Sequence, residues 1–426
     1  MDFMILYEHN AREIESACIL KKELERNGFS AEIYSIYSLM KSIKKANVII
    51  VPHLYNDEQV AQFICKYKLR KCKVINLQYE QVISINDIQT GYGYPRGQAK
   101  NALLLAWGNH ENSRYIKDEK QRSEVVGCLA MDLNLPKYDD LFFGKSYLYD
   151  KYKFNSENKI LIFISSFSLA DVTDEYLQLH YNENFDVAKQ FAKISKRSQE
   201  IVIGWLMHIA KNGGWEVIYR PHPAEYENKR LKEIEENIKG FHVISDESVR
   251  QWIRVSDFIT TWFSTSIIDA YYAGKPCVIL RPEKIPEELD VPFMIDAHSV
   301  STYEEFIEKI NAEDKGEFPI KEEDIHDFYA NKKGEECLRG VVKRCIDVYN
   351  SNIYEHTYNV RKYYDLFSII KTFFIDVLFE LSRYLDLTAF YKIALCKNPA
   401  KKSFFIHVQK ELYKSHKLIN DICARI

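Results

Sequence analysis

Short apolar runs alternate with amphipathic segments along most of the chain. Runs rich in Val, Ile and Leu, typical of buried parallel strands, occupy 4–7, 31–34, 47–52, 73–77, 103–108 and 124–127, and again 159–164, 217–219, 258–260 and 277–280. Between them apolar residues recur at helical spacing, as in the long segment from 184 to 211. Strands and helices that alternate in this way predict doubly wound, mostly parallel α/β sheets.

The pattern predicts two such sheets and therefore two domains. Residues 1–132 and 159–350 are each predicted to form one Rossmann-like domain, and the tyrosine-rich, charged stretch 133–158 is predicted to connect them. From 351 to 426 the pattern becomes helical, aromatic and basic. We therefore predict an α/β protein with two doubly wound domains that face a central cleft, followed by a helical C-terminal extension.

Polar turns follow two apolar runs of the second domain. The run 217–219 ends at Arg220-Pro-His222-Pro, where two prolines stop the strand and hold His222 in a stiff, exposed corner. The run 258–260 leads to Ser264-Thr265-Ser266, where the next helix is predicted to begin. Hydroxyls and unpaired backbone N–H groups at a helix start favour phosphate, and ligands of open α/β sheets bind at the carboxyl ends of strands. The two turns predict a nucleotide-phosphate site.

Some of these residues also fit ordinary structural roles. Ser266 and Asp269 match a weak capping-box pattern that would only start the helix, so Asp269 is either a cap or a donor ligand. Ser165 and Ser166 follow the strand 159–164 at its carboxyl end. They are either turn formers or ligands of the donor's phosphate or sugar.

The first domain has its own polar turn after the first predicted strand. It contains His9, Asn10 and Arg12 but no Gly-x-Gly-x-x-Gly, which argues against a dinucleotide site. Arginine is unfavourable in a first helical turn because of the helix dipole. Arg12 is therefore expected either to face an anionic ligand or to form a solvated pair with Glu15 or Glu8.

Two stretches resemble a known enzyme class. The run from Asp257 to Leu280, together with the Arg-Pro-His-Pro turn, resembles the donor-binding half of GT-B glycosyltransferases, and within them bacterial surface carbohydrate biosynthesis proteins. Allied families are the CDP-glycerol glycerophosphotransferases and the capsule Kdo transferases. The stretch that begins at Asn10 is similar to the Arg-Glu-Leu opening of the same family. The chain departs from the family at Trp262, where an acidic residue is common, and at Asp269, where glutamate is usual.

The resemblance implies a GT-B-like architecture and roles for residues already singled out. Ser264, Thr265 and Ser266 are expected to hold the donor's phosphate together with His222. Further donor-binding residues are expected to be Arg220, Ser165, Ser166 and Asp269. The acceptor-binding residues are expected to be His9, Asn10 and Arg12.

A mechanism follows from the same resemblance. Family members have a glutamate after the strand that corresponds to 73–77, and Glu80 occupies that place here. Glu80 is predicted to be the general base that removes the acceptor's proton, while His222 stabilises the leaving phosphate. The alternatives for Glu80 are a solvated loop residue and a helix cap. No Asp-x-Asp motif is present, so we predict no metal site, no cofactor and metal-independent transfer from a CMP-, CDP- or UDP-linked donor.

The resulting function is transfer of a sugar from a nucleotide-activated donor to a glycan or lipid-linked glycan acceptor, in capsule or lipopolysaccharide biosynthesis. A first alternative on the same fold is a CDP-polyol phosphotransferase for glycerol or ribitol phosphate. A second is a non-catalytic nucleotide-sugar-binding scaffold in a polysaccharide assembly complex. A hydrolase or epimerase of nucleotide sugars is a third, and it would need neither an acceptor nor a basic tail.

Composition narrows the setting. The 426 residues are 46% hydrophobic and 28% charged with a net charge of −3, which argues against a general nucleic-acid binder. Nine scattered cysteines without a C-x-x-C pair suggest neither zinc nor a disulfide framework. Because the chain opens directly on a strand-like run rather than a signal peptide, a cytoplasmic location is expected.

The C-terminal extension has two open interpretations. Its apolar stretch from 366 to 381 is interrupted by charges, so no membrane-spanning helix is predicted. Residues 391–426 contain eight lysines or arginines against two acidic residues, interleaved with aromatic residues. This segment is expected either to anchor the protein on the anionic inner face of the plasma membrane or to pack on the catalytic core or a second subunit.

Overall fold

The computed structural model describes residues 1–65, 69–117, 121–181, 184–226, 228–313, 316–359, 366–396 and 398–426, without the side chains of 366–368, 399 and 400. These residues form two compact units. The first comprises Met1–Gln81, Gly93–Leu133 and His326–Ile426, and the second comprises Val82–Tyr92 and Asn134–Ile325.

Thirteen strands occur in the described residues. They are β1 Phe3–Tyr7, β2 Ala31–Ser35, β3 Val48–Val51, β4 Arg70–Asn76, β5 Leu103–Ala106, β6 Arg122–Val125, β7 Lys159–Ile164, β8 Trp215–Arg220, β9 Phe241–Val243, β10 Phe258–Thr261, β11 Cys277–Leu280, β12 Ser299–Val300 and β13 Glu355–Tyr358. Every predicted apolar run overlaps one of these strands, although the run 124–127 shares only Glu124 and Val125 with β6. The short β9 and β12 were not predicted, because three and two residues are too few to show a pattern.

The helices of the described residues connect and cover the strands. They are α1 Asn10–Arg26, α2 Met40–Ile43, α3 Asp57–Gln59, α4 Ile85–Thr90, α5 Asn109–Tyr115, α6 Leu129–Asp132, α7 Lys145–Tyr152, α8 Asp174–His180, α9 Phe185–Asn212, α10 Lys229–Asn237, α11 Val249–Val255, α12 Ile267–Tyr272, α13 Tyr303–Asn311, α14 Glu322–Phe328, α15 Leu338–Asn350, α16 Leu366–Ser382, α17 Thr388–Ala394, α18 Pro399–Leu412 and α19 Ser415–Arg425.

The strand order of each sheet defines where a ligand crevice lies. The first sheet has the order β2-β1-β3-β4-β5-β6, and the second has the order β12-β11-β10-β7-β8-β9. All pairs along these two paths are parallel. The order therefore reverses between β1 and β3 in the first unit and between β7 and β10 in the second. Loops leave such a switch point in opposite directions and open a crevice at the carboxyl ends of the strands.

Strand β13 is a departure from the predicted helical extension. Glu355–Tyr358 pairs antiparallel with Arg70–Lys73, the first half of β4. Strand β5 pairs with β4 only at Ile75 and Asn76. The first half of β4 would otherwise present unpaired backbone groups at that edge, and the returning chain satisfies them.

The core of the second unit explains the long helix α9. One face of α9 buries Val202, Leu206 and Ile209 in the same cluster as Phe163 and Tyr219 from the sheet. Each such side chain contributes about 1.5–3 kcal/mol on burial. The helix therefore covers one face of the sheet, as its apolar spacing predicted.

The C-terminal helices pack on the first unit. Phe379, Val408 and Leu412 are buried in the cluster that also contains Val51 and Val74 of the sheet. The prediction of a helical C-terminal region is confirmed for α16 to α19. Of the two interpretations left open for this region, packing on the core is seen within the first unit. Among the described residues, no helix combines the length and apolar character needed to cross a bilayer.

Candidate functional site

The switch point of the second unit joins two polar turns. The backbone N–H of Phe263, after β10, donates to the Ser166 hydroxyl, after β7, at 3.1 Å. The Thr261 hydroxyl at the end of β10 donates to the carbonyl of Ile164 at the end of β7, at 3.0 Å. The two loops are thus tied together where the sheet order reverses.

The three predicted hydroxyl residues lie in this turn and are half-buried. The N–H of Ser264 donates to the Thr261 hydroxyl at 3.1 Å, and the N–H of Ser266 donates to the Ser264 hydroxyl at 3.3 Å. Within the described chain, the Ser266 side chain makes no capping hydrogen bond to α12. The capping-box alternative is therefore not realised in this geometry.

His222 lies in an exposed turn after β8, the strand next to β7. Its Nδ1 accepts a hydrogen bond from the Ala224 N–H at 3.1 Å. A neutral ring that accepts at Nδ1 carries its proton on Nε2, so Nε2–H is the donor that His222 can offer.

Glu225 braces this turn, and sequence reasoning missed it. Its carboxylate accepts from the backbone N–H of His222 at 3.1 Å and from the hydroxyls of Ser165 and Tyr219, each at 2.5 Å. Gln199 of α9 donates to it at 3.2 Å. Burial, reinforced by the neighbouring Glu225, raises the pKa of Tyr219 well above its ordinary value. Tyr219 is therefore a constant hydrogen-bond donor to Glu225.

Ser165 belongs to this buried brace. Its side chain is 2% exposed, and its hydroxyl contacts Glu225 and Tyr219. It links the end of β7 to the His222 turn, whereas Ser166 links β7 to the hydroxyl turn. The predicted serine pair thus connects both halves of the candidate phosphate site.

Arg220 and Asp269 have structural partners within the second unit instead. The guanidinium of Arg220 donates to the carbonyls of Asp246 and Glu247 at 2.8 and 2.5 Å, and burial lowers the pKa of Arg220 to about 10. Asp269 is 4% exposed and pairs with Arg250 at 2.9 Å. With these contacts, both residues support loops near the sheet edge, and we leave them out of the ligand set.

The first unit brings together Arg12 and Glu80 from its predicted acceptor side. Arg12 Nη1 lies 2.6 Å from a Glu80 oxygen. The same guanidinium donates twice to Glu13, at 2.9 and 2.7 Å, and the Glu13 side chain is fully buried. Burial raises the pKa of the Glu80 carboxyl, but the charge and hydrogen bond of Arg12 outweigh it, and the net pKa is lowered. Glu80 is thus ionised at neutral pH.

A second titratable group lies at the switch point of the first sheet. His53 follows β3, and its Nδ1 lies 3.5 Å from the Glu8 carboxylate, which follows β1. Burial lowers the pKa of His53 to about 4, so this ring is neutral at physiological pH. Burial also disfavours the charged form of Glu8, and for a carboxyl group this raises the pKa. The apolar run Val-Ile-Ile-Val-Pro that precedes His53 gave no signal that this histidine would lie beside Glu8.

His9 and Asn10 contact the C-terminal helix α18. His9 Nδ1 lies 3.7 Å from Glu411, and the N–H of Asn10 donates to the same carboxylate at 2.6 Å. The rings of His9 and His407 are 5.6 Å apart. Neither His407 nor Glu411 was predicted, because no local pattern links residues from opposite ends of the chain.

Comparisons with known proteins find similar structures but no similar sequences. No model of a known protein family matches the chain, and no curated protein matches it in sequence. Similar solved structures include the wall teichoic acid polymerase TagF soaked with CDPG, at 9% identity and a TM-score of 0.53, covering 82% of this chain and 89% of that chain. They also include the UDP-GlcNAc 2-epimerase of Methanocaldococcus jannaschii with UDP-GlcNAc and UDP, at 14% identity and a TM-score of 0.51, covering 82% and 99%.

At these identities the similarity concerns the fold alone. Both neighbours cover most of the chain, and the two parallel Rossmann-like sheets and the helical C-terminal region agree with the predicted fold class. This chain therefore has a GT-B-like α/β fold.

Proposed function

We propose that the chain is a glycosyltransferase that moves a sugar from a nucleotide-activated donor to an acceptor glycan of a bacterial surface polysaccharide. One observation carries the proposal. Three neighbouring strands of the second sheet, β8, β7 and β10, end in the His222 turn, the Ser165-Ser166 pair and the Ser264–Ser266 turn, and hydrogen bonds through Glu225 and Ser166 tie these turns together.

The chemistry of this edge suits a leaving nucleotide phosphate. Negative charge grows on the donor's phosphate as the glycosidic bond to it breaks, and preorganised donors stabilise that charge most effectively. His222 offers Nε2–H, and the turn of Ser264, Thr265 and Ser266 offers hydroxyls. Because Glu225 fixes the His222 backbone, little reorganisation is needed when the charge develops.

On the acceptor side, Glu80 is proposed as the general base. Its pairing with Arg12 makes it a weaker base than an ordinary glutamate, since the cation stabilises the ionised form. An acceptor with a phosphate or carboxylate group would draw the Arg12 guanidinium towards itself. Glu80 would then regain basicity as the acceptor binds, which restricts proton removal to the occupied site.

The activities of two structurally similar proteins are retained as second candidates. The TagF structure was soaked with CDPG, which favours a nucleotide-linked polyol phosphate as the transferred group. The archaeal structure is a UDP-GlcNAc 2-epimerase, which favours an acceptor-independent reaction of a nucleotide sugar. A non-catalytic scaffold would bind nucleotide and form no product. Three results separate these candidates from glycosyl transfer. Phosphorus in the product indicates the polyol phosphotransferase, turnover without an acceptor indicates the epimerase, and absence of turnover indicates the scaffold.

The nucleotide site is tested with a calorimetric panel of CMP, CDP, UDP, GDP and ADP. The variants are His222→Ala and, as a matched control in the same unit, His208→Ala, whose exposed ring lies 5.7 Å from that of Tyr303, outside the polar turns. We expect one nucleotide to bind the wild type and the control equally, and His222→Ala to weaken binding at least about tenfold, a loss of about 1.4 kcal/mol. Binding that is unchanged in His222→Ala would remove this turn from the site.

The C-terminal region is proposed to hold the enzyme at an anionic membrane surface, where a lipid-linked acceptor would be found. Several large apolar side chains of α16 to α17 are exposed: Phe374 is 65%, Leu385 54%, Phe390 51% and Ile393 76% exposed. Exposed lysines lie among them, including Lys371 and Lys392. Apolar side chains interleaved with cations match the interface of an anionic bilayer.

A further inference from the structure

A group of nitrogen and oxygen ligands joins the two ends of the first unit. His9 lies in the turn after β1, and His407 and Glu411 lie on α18. One ligand atom from each of the three lies within 4.8 Å of the other two. The His9 Nδ1 to Glu411 Oε1 distance is 3.7 Å. Two ligands bound to a tetrahedral zinc ion at about 2.1 Å are about 3.4 Å apart. Small side-chain rotations would therefore close this group on an ion.

The fold holds these side chains in place from both directions. His407 and Glu411 are four residues apart, so they project from the same face of α18 one turn apart. The neighbouring Val408 and Leu412 are fully buried in the first unit and fix the rotation of the helix. His9 immediately precedes α1, at the carboxyl end of a buried strand.

Outer contacts orient two of the three ligands. The Asn10 N–H donates to Glu411 Oε2 at 2.6 Å, which leaves Oε1 turned towards His9. The Glu8 carboxylate lies 3.6 Å from His9 Nε2, the ring atom opposite the one that faces Glu411. Carboxylate and backbone groups are the usual outer partners of side chains that ligate a metal. The buried Oδ1 of Asn10 also has no hydrogen-bond partner among the described residues.

We propose that His9, His407 and Glu411 bind a divalent transition-metal ion, with zinc as the best match. Two imidazoles and one carboxylate, with a fourth position for water or a substrate oxygen, suit zinc in tetrahedral geometry. Magnesium and calcium prefer ligand sets made of oxygen. The site was not predicted, because the expectation of no zinc site rested on the absence of a C-x-x-C pair, and no local pattern links His9 with His407 and Glu411.

The site goes beyond the proposed transfer reaction and does not depend on it. It lies within the first unit and departs from the prediction that the chain has no metal site, whereas the predicted metal-independent transfer concerns the donor phosphate in the second unit. The ion would cross-link α18 and the turn after β1, beside the switch point between β1 and β3. A C-terminal region that carries exposed apolar side chains would thereby be fastened to the predicted acceptor side of the protein.

The test uses the full chain without a polyhistidine tag. The protein is stripped with a chelator, loaded with Zn²⁺ or Co²⁺, and passed through a desalting column. Bound metal is then counted by mass spectrometry of the elements. We expect one ion per chain, a visible absorption spectrum typical of tetrahedral Co²⁺, and a higher Tm for the zinc-loaded protein than for the stripped protein.

Two variants and one control make the assignment specific. His407→Gln and Glu411→Gln are each expected to weaken metal binding at least about tenfold, since each removes one of three protein ligands. His208→Gln, in the second unit, is expected to retain one ion. Circular dichroism of each stripped variant checks that it is folded. If His407→Gln is unfolded, the metal content of Glu411→Gln alone tests the assignment.

Two outcomes would overturn the proposal. The first is a wild-type chain that holds no more metal than Glu411→Gln, and the second is a Tm that zinc does not change. Nucleotide binding by the second unit is measured in parallel. If it persists while metal binding fails, the metal proposal alone is rejected, and the converse result rejects only the donor site.

Discussion

Arg12 Nη1 lies 2.6 Å from a carboxylate oxygen of Glu80, while the other nitrogens of the same guanidinium hold Glu13. One cation therefore serves two carboxylates of different character. The Glu13 side chain is fully buried, and that of Glu80 is 48% exposed. The fully buried partner needs the cation for stability, and the half-exposed partner is the carboxylate that we propose as the general base.

Arg12→Met is expected to lower the free energy of unfolding by about 3 kcal/mol, because it leaves the buried Glu13 carboxylate without its cation. Glu80→Gln removes a half-exposed partner of the same cation and is expected to cost less than about 1 kcal/mol. Urea denaturation of the wild type and both variants measures the difference. Equal losses in the two variants would contradict the division of roles between Glu13 and Glu80.

For Glu80→Gln we also expect nearly complete loss of transfer with nucleotide binding unchanged.

Asp269→Asn tests whether this residue is a support or a ligand. Asp269 and Arg250 are both buried and 2.9 Å apart, so the substitution takes away the carboxylate that faces a buried cation. The expected loss of stability is about 3 kcal/mol. Asp171→Asn, which removes an exposed partner of Lys196, is the control and is expected to cost less than about 1 kcal/mol. Nucleotide affinity should be the same in both folded variants; a selective loss in Asp269→Asn would return Asp269 to the donor site.

Cys423 is expected to react at unusually low pH. The neighbouring Cys18 thiol lowers the pKa of Cys423 to about 7, with help from Lys21 and Lys22 and against the opposing effect of burial. A lowered pKa favours the thiolate, so Cys423 is mostly ionised above about pH 7, whereas an ordinary cysteine ionises near about 8.5. Alkylation by iodoacetamide, followed by peptide mass spectrometry across pH, should show half-maximal rate for Cys423 near pH 7. In Cys18→Ala the midpoint should move up; an unchanged midpoint would exclude Cys18 as the cause.

The C-terminal apolar surface is tested by vesicle sedimentation. Phe374→Ser combined with Ile393→Ser removes two of its most exposed apolar side chains and should leave the buried contacts of Phe379 and Val408 intact. We expect the wild type to sediment with vesicles that contain anionic lipid, less so at high salt, and the double variant to remain mostly in the supernatant. A control pair on the second unit, Leu179→Ser with Tyr226→Ser, also removes exposed apolar groups and should bind like the wild type. Equal binding by both double variants would exclude this surface.

The regular elements could be predicted because their signals are local. Runs such as Lys159–Ile164 and Cys277–Leu280 begin and end where the sequence pattern placed them. The turn after β8 was predicted from its two prolines. After α12, Gly274 has a φ of +63°, a backbone conformation that favours glycine. Such features depend on backbone sterics and on apolar periodicity within a few residues.

The partners of the polar side chains could not be predicted in the same way. Glu225 follows the His222 turn as an ordinary charged loop residue, and only the packing of α9 and β8 surrounds it with Gln199 and Tyr219. Strand β13 has no apolar run, and it forms because the first half of β4 has an edge that β5 does not cover. Its position is a property of the assembled sheet.

By itself, the sequence determined the alternation of strands and helices, the two sheets and the polar character of the strand ends, since hydrophobic periodicity and turn chemistry act locally. Tertiary structure alone decided which carboxylates are paired and which ends of the chain meet. Ion pairs such as Arg250 with Asp269, and contacts such as His9 with Glu411, join residues that are distant in sequence. Their energies depend on burial and distance, and both exist only once the sheets and helices have packed.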